Sequence, residues 1–401
     1  MQRWRNEPIT PPSYSQSKIR TICEDKMNKE VLVCDQEHTK TWSLYNADCV
    51  DVARGLPDNS IHFTCYSPPF ESLYTFSDNP RDISNNSNPD VFWEHYRFLI
   101  REMVRSTMPG RLIATHCMQL PTSKTRDGFI GMRDFRGEII RAFQGNDAYG
   151  LYDAMQSLLV RASQSEANGD MARAYDLRIL SENIQSELLQ YPGDSGMIFH
   201  SEVMIRKDPV SAMQRSKSIG LLHKQICKDS SMSRMAAADY MIMMRKPGEN
   251  TEPVSGPFDA YYGDESPPEG PLRNENSKGV EYLNPGDDWF SVAVWQRYAE
   301  SVWTDINQGD VLTHKCAREE SDERHISPLQ LTPIRRCIDL WSNPGDVVFS
   351  PFAGIGSELY CAVEMGRKAI GSELKESYYN QAVANLKSIN NAKQLSILDG
   401  A

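Results

Sequence analysis

Two short stretches of this 401-residue chain combine residue types that can do chemistry. The first is Ser67-Pro68-Pro69-Phe70, which follows the apolar run "IHFTCY". Consecutive prolines lack N–H groups and fix their own φ, and the residue before a proline is pushed to extended geometry. The product is a rigid corner that offers a hydroxyl, main-chain carbonyls without local partners and an aromatic ring. Taken alone, the corner also fits a loop that merely leaves a sheet. The second stretch is Phe352-Ala353-Gly354-Ile355-Gly356, with Glu373 seventeen positions beyond Gly356. Glycines let a ligand approach the backbone, and an acid at the end of the following strand can accept hydrogen bonds from ribose hydroxyls. Together they suit a cofactor that contains a nucleoside.

These residues need elements to hold them. "WSLYNADCVDVARGLPDNSIHFTCYSPPF" reads as strand, short helix, Pro-Asp-Asn turn, strand and corner. "VFWEHYRFLIREMVRSTMPG" reads as an amphipathic helix stopped by Pro109-Gly110, and "RLIATHCMQL" as a buried strand. The C-terminal block reads as a helix over Pro333–Trp341, a strand over Val347–Phe349 and the glycine loop. A helix over Glu358–Met365, a strand over Lys368–Ser372 and a helix over Glu376–Leu386 complete it. This is a βαβ unit with its loop where the first strand meets the helix. Such a loop leaves a dinucleotide and S-adenosylmethionine both open. The missing third glycine and the C-terminal place of the unit favour S-adenosylmethionine.

Alternating strands and helices predict an α/β layer architecture. The first forty residues are polar and read as an irregular arm. Asp147–Leu189 reads as two charged helices split by "ANGD", an appendage on the core. "MIFHSEVMIRKDP" and "YMIMMRKPG" return to strand, and Pro247–Asp288 reads as a long surface insertion rich in Pro, Gly and acids. The expected divisions are an arm at 1–40, a catalytic half-core at 41–144 and a helical insert at 145–195. Strands with a recognition region and long loop follow at 196–320, and a cofactor-binding half-core at 321–401.

No apolar stretch approaches the roughly 20 residues that a membrane span requires, and the N-terminus has no apolar core of a secretion signal. Nine cysteines without a Cys-x-x-Cys pair suit a reducing compartment and argue against structural zinc or a disulfide framework. His314, Cys316 and His325 fit no strong metal-ligand spacing, so no metal is expected. The net charge is −11, yet one stretch is cationic. Arg206, Lys207, Arg215, Lys217, Lys224, Lys228, Arg234, Arg245 and Lys246 face only Asp208, Asp229 and Asp239 there. A local basic face suffices for a nucleic acid; a solvated basic surface is the plain alternative.

These stretches together resemble the amino-directed DNA methyltransferases that modify cytosine N4 or adenine N6. Ser67-Pro68-Pro69-Phe70 resembles their catalytic motif, the Phe352–Gly356 loop their cofactor loop, and Glu373 the acid that holds the cofactor ribose. Asp48 stands where the family places an acid near the cofactor adenine. Pro328, Leu329, Gln330 and Leu331, in "HISPLQLTPI", fall in the segment that packs around the methionine end of the cofactor. The order, with the catalytic motif first and the cofactor loop last, is that of the permuted β class, and the pattern is similar to enzymes carried by phages and prophages. One departure stands out. The family's loop usually opens Asp-Pro-Phe, whereas here it opens Ser350-Pro351-Phe352, which weakens the expected polar support of the cofactor's amino group unless another acid such as Glu358 substitutes.

The resemblance implies a Rossmann-like sheet dependent on S-adenosyl-L-methionine, with inserted helical and target-recognition regions. An exocyclic amino nitrogen is a poor nucleophile because its lone pair is delocalised into the ring. Acceptors on its hydrogens, here the Ser67 side chain and the Pro68 carbonyl held by Pro69, localise that pair, while Phe70 stacks on the base. The base must leave the duplex to reach them. Serine at the corner is associated more with cytosine N4 than with adenine N6, and an RNA or a protein amide is a more distant substrate. Double-stranded DNA is the expected partner, with Lys224, Lys228, Arg234, His223 and Gln225 as its contacts. The helical insert is assigned to homodimerisation or a wider DNA footprint. A bacterial cytoplasm, with a role in restriction-modification, completes the expectation.

Overall fold

The computed structural model describes residues 20–24, 30–70, 82–83, 89–122, 124, 128–145, 158–190, 196–216, 219–264, 289–313 and 328–399. His314, Cys316, His325 and Lys217 lie outside the described residues, as do most of the long acidic insertion and the first nineteen positions.

Ten of the described strands form one sheet. In chain order these are β1 (Arg20–Glu24), β2 (Glu30–His38), β3 (Trp42–Ala47), β4 (Ile61–Tyr66) and β5 (Thr107–Met118). A two-stranded ribbon, β6 (Leu120–Pro121) and β7 (Met132–Arg133), stands apart from the sheet. The sheet resumes with β8 (Ile198–Ile205), β9 (Asp239–Arg245), β10 (Val302–Trp303), β11 (Val347–Ser350) and β12 (Lys368–Ser372). Its spatial order is β1-β2-β3-β12-β11-β4-β5-β9-β8-β10.

The five strands from β3 to β5 in that order are all parallel. They are covered on both faces, which explains their near-continuous apolar sequences. Leu112 and Ala114 of β5 belong to the core shared with the helices Leu331–Trp341 and Ser357–Glu364, whereas Ile113 joins the opposite core with the helix Pro89–Ser106. The alternation follows from side chains pointing to opposite faces of a strand.

Two connections leave the middle of this sheet in opposite directions. From β11 the chain passes through the helix Ser357–Glu364 to β12 on one side; from β4 it passes through Pro89–Ser106 to β5 on the other. The boundary between β11 and β4 is therefore a topological switch point, and the crevice outside the carboxyl ends of its strands is where open α/β sheets bind ligands. Ser67 follows β4 and Pro351 follows β11, so the two stretches of interest, far apart in the chain, emerge side by side.

Some elements differ from the sequence expectation. The expected irregular arm contains β1 and β2, with β2 paired antiparallel to β3. Its polar stretch Asp35-Gln36-Glu37-His38 is compatible with a strand because one face of an antiparallel sheet can meet water. Pro109-Gly110 does not stop the helix, which ends at Ser106; both residues lie inside β5. There Gly110 takes φ +73°, at a register shift against β4, and a Cβ on it would meet Asn250 at 2.8 Å. The final helix runs from Glu376 to Asp399, beyond Leu386. In the helical insert, residues 158–167 and Met171–Gln190 are helical, and Arg178 bridges them by donating to Glu166 at 3.0 Å.

Candidate active site at the switch point

A cavity of about 210 Å³ opens at the carboxyl ends of β4 and β11. Its walls bring together Asp48, the whole corner Ser67–Phe70, the loop residues Phe352 and Gly354, and Glu373. Backbone amides hold both carboxylate oxygens of Glu373. The Lys375 amide donates to Oε1 at 2.9 Å and the Gly354 amide to Oε2 at 2.8 Å. Asn46 Nδ2 donates to the Glu373 carbonyl at 2.8 Å, fixing the chain behind it. Burial pushes the Glu373 carboxyl up to about 7, against the opposing pull of the two amides. Glu358 lies close by on the next helix, is 4% exposed, and is raised by burial to about 8.

Gly354 has φ +52°, and a Cβ built there would meet no atom within 4 Å. The backbone is thus open toward the cavity at the point where its amide binds Glu373. Both observations fit a cofactor with a sugar diol laid against this loop. Asp48 lines the same cavity and caps the helix Cys49–Gly55, its Oδ1 accepting from the Val50 amide at 2.8 Å.

Four residues expected at the cofactor are placed differently. Ser350 is fully buried at the end of β11, and its hydroxyl has no partner among the described residues. Gly356 (φ +90°) caps the helix Ser357–Glu364, with Ala382 3.1 Å from where its Cβ would be. Leu331 packs in the core, and Gln330 is buried at the start of the helix Leu331–Trp341. Pro328 and Leu329, expected in the same segment, do line the cavity.

At the corner, Phe70 meets Phe135 edge to face with ring centroids 6.0 Å apart, and in the loop Phe352 lies 5.9 Å from Tyr66. The Ser67 hydroxyl lies 3.2 Å from His116 Nδ1. His116 Nε2 in turn lies 3.1 Å from Asp239 Oδ2, and Lys207 Nζ pairs with the same oxygen at 2.5 Å. Sequence reasoning missed this line of residues. It carries signals all the same: a histidine within the apolar strand "RLIATHCM" and an aspartate opening "DYMIMMR". Lys207 belongs to the cationic stretch by sequence, but it points inward to Asp239 and to Gln308, whose Oε1 accepts from it at 2.8 Å.

Residues 206–238 leave β8 and return to β9. Because β8 is antiparallel to β9, and β9 to β5, they do so at the edge of the sheet that carries Ser67. The short helix His223–Lys228 lies there with none of its side chains buried. His223, Lys224 and Lys228 are exposed. Gln225 Nε2 donates to the Asp229 carbonyl at 3.0 Å. Arg234 ties the excursion together, its amide donating to the Gly220 carbonyl at 3.0 Å and its guanidinium lying 3.5 Å from Met132 Sδ. Among the described residues, no group of His, Cys, Asp and Glu is arranged to hold a metal, and no helix is long and apolar enough to cross a membrane.

An α/β sheet with a nucleoside-type loop and an acceptor-bearing corner at one switch point defines a class of group-transfer enzymes. Residues 61–384 match the DNA methylase family that covers N6 and N4 methyltransferases, and the chain belongs to that family. Its cofactor is S-adenosylmethionine. The chain is 40% identical over 121 residues to the type II methyltransferase M1.MboII of Moraxella bovis, covering 30% of this chain and 45% of that protein. It is 29% identical over 99 residues to the type II methyltransferase M.HindIII of Haemophilus influenzae, covering 24% and 32%. The aligned parts thus span less than half the length of these relatives. Among solved structures, the PvuII DNA methyltransferase (cytosine-N4-specific) aligns over 88% of this chain and 90% of its own, with 10% identity and a TM-score of 0.44.

Proposed function

We propose that this protein transfers a methyl group from S-adenosyl-L-methionine to the exocyclic N4 of a cytosine flipped out of duplex DNA. The observation that carries the proposal is that the Ser67–Phe70 corner and the Gly354–Glu373 pair open into one cavity. Glu373, the Gly354 backbone and Asp48 would hold the cofactor, which supplies an electrophilic methyl group when bound. The chain's own work is positional. Ser67 Oγ and the Pro68 carbonyl receive the amino hydrogens, drawing the nitrogen lone pair out of conjugation, and Phe70 stacks on the ring. Pro68 and Pro69 keep that carbonyl from turning away.

A neutral serine hydroxyl supports cytosine because it accepts from the amino group without burying a carboxylate. Adenine N6 is the second outcome, since its amino group presents equivalent hydrogens. The exposed cations of the 206–238 excursion, rising from the catalytic edge, favour duplex DNA over RNA or a protein amide. The order of motifs is that of the β class. A bacterial cytoplasm, a restriction-modification role and carriage by a phage or prophage follow from the same family resemblance. Mass spectrometry of nucleosides from DNA treated with the pure protein and cofactor tests the proposal. N4-methylcytosine is expected; N6-methyladenine alone would move the target to adenine, and neither base would end the assignment.

A further inference from the structure

Ser67 is backed by more structure than a hydroxyl at a loop corner needs. His116 stands behind it at 7% exposure, and Asp239 behind His116 at 5%. The contacts are 3.2 Å from Ser67 Oγ to His116 Nδ1 and 3.1 Å from His116 Nε2 to Asp239 Oδ2. The three residues come from the end of β4, from β5 and from the start of β9, so the line crosses three adjacent strands. Lys207 closes it, pairing with Asp239 at 2.5 Å.

Protonation follows from the partners. An ionised carboxylate only accepts hydrogen bonds, so the ring nitrogen facing Asp239 carries the proton. Lys207 already supplies a positive charge to that carboxylate. His116 therefore need not be a cation to balance it and rests as the neutral Nε2–H tautomer, with the Nδ1 lone pair aimed at Ser67. In this state the Ser67 hydroxyl donates to Nδ1 and turns its own lone pairs toward the cavity. The His116 carbonyl, 3.4 Å from Ser67 Oγ, is a more distant acceptor for the same hydrogen. A serine left alone would rotate and offer either its hydrogen or its lone pairs.

Resting on the methyl-transfer proposal above, we infer that His116, fixed by Asp239 and Lys207, is a positioning residue that makes Ser67 an acceptor for the substrate amino group and takes up the proton released there. The nitrogen–carbon bond forms as the carbon–sulfur bond breaks, leaving the methylated nitrogen with one proton too many. That proton moves to Ser67 Oγ while the Ser67 proton passes to His116 Nδ1. The serine ends unchanged, and the imidazolium is stabilised by Asp239 until it loses its proton to solvent. Next in the chain to His116, the Cys117 thiol is pushed up by burial and by the Asp239 charge, and the Arg136–Glu202 pair and Asp134 are the other charges that act on it.

Nitrogen-detected NMR of the histidine-labelled protein, without cofactor or DNA, tests the tautomer directly. Protonated Nε2 and bare Nδ1 are expected for His116 at neutral pH; a proton on Nδ1 would overturn the inference. For turnover, His116→Gln is expected to lower kcat about a hundredfold, in the range of general acid–base effects, with the KM for cofactor unchanged. The acid limb of the pH–rate profile should disappear with it. Asp239→Asn, which touches neither substrate nor Ser67, should shift the tautomer and lower kcat in step. If Ser67→Ala is inactive while His116→Gln keeps the wild-type rate and pH profile, the inference fails and the methyl-transfer proposal survives. If Ser67→Ala keeps full activity, the Ser67 role in that proposal fails first.

Discussion

The Gly354 amide donates to Glu373 Oε2 at 2.8 Å, so the loop after β11 and the end of β12 are joined at the mouth of the cavity by a carboxylate. The same carboxylate is the group expected to meet a ribose. Glu373→Gln would keep its shape but turn one oxygen into a donor, which cannot accept from an amide. Affinity for S-adenosylmethionine should fall about tenfold to a hundredfold, the scale of one charge-assisted hydrogen bond. Gly354→Asp should also abolish tight binding, because it combines φ +52° with a side chain in open cavity space. Calorimetry showing wild-type affinity for both variants would remove the cofactor assignment.

The two buried acids make stability fall with rising pH. Glu358 and Glu373 are raised from 4.5 to about 8 and about 7 in the folded protein. Their contribution is complete below 4.5, where both states bind the proton. It declines as pH rises from 4.5 to about 8, where the unfolded chain has released protons that the folded chain keeps, and levels off above. Urea unfolding midpoints should therefore drop across that window, and Glu358→Gln should flatten the drop. A stability independent of pH in the cofactor-free protein would contradict the burial of these groups.

Ser67→Ala should retain cofactor affinity, since Ser67 is not among the groups expected to hold the cofactor, yet lose most turnover. Filter assays with labelled cofactor and a mixed-sequence duplex separate the two quantities. Retained turnover would leave the Pro68 carbonyl as the sole acceptor.

Lys224 and Lys228 project from a helix with no buried side chain, so replacing them with alanine should leave folding intact. Each lysine that pairs with a phosphate should, once replaced, make the slope of log affinity against log salt shallower by about 0.9. His223 and Gln225 should alter sequence preference more than the slope, as groups that read base edges do. DNA affinity unchanged in the combined variant would shift recognition to another surface, with the helical insert first in line.

Arg336 is fully buried, its Nη2 2.5 Å from Asp305 and its guanidinium 5.1 Å from the ring centres of both Tyr298 and Trp303. Removing one member of a buried pair leaves the other charge stranded, at a cost of about 3–5 kcal/mol. Arg336→Ala should show this in denaturant unfolding. Arg336 and Asp305 also bind the helix Leu331–Trp341 to the strand end at β10, so the variant should loosen the cavity wall at Leu329.

The strands and the two motifs are legible in the sequence because each is written in a local pattern. Prolines mark the corner, glycines the loop, and apolar runs the strands buried on both faces. Glu373 is legible from its place after β12. His116, Asp239 and Lys207 are not, because their meaning lies in the order of strands: β9 returns antiparallel beside β5, and only that pairing sets Asp239 against His116. Lys207 looks like surface charge for the same reason. For Ser350, Gly356, Gln330 and Leu331 the sequence offers only motif position, which locates a loop but not which of its residues turn inward. The strand at Glu30–His38 escapes a sequence reading because half of it is polar, as an antiparallel sheet with one face toward water allows.

The Val347 amide donates to His62 Nδ1 at 3.2 Å across 285 residues of chain. This is the seam between β4 and β11, and it sets an order of events during synthesis. One edge of β4 is filled by β5 soon after it emerges, but the other stays bare until β11, 285 residues further along the chain, has been made. Parallel pairing over such a distance is slow, and a bare strand edge invites pairing with other chains. The cavity comes into being only when that seam closes, so a nascent chain cannot capture cofactor early and be rescued by it. Aggregation during expression should therefore respond to anything that speeds docking of the C-terminal βαβ unit, and hardly at all to added S-adenosylmethionine.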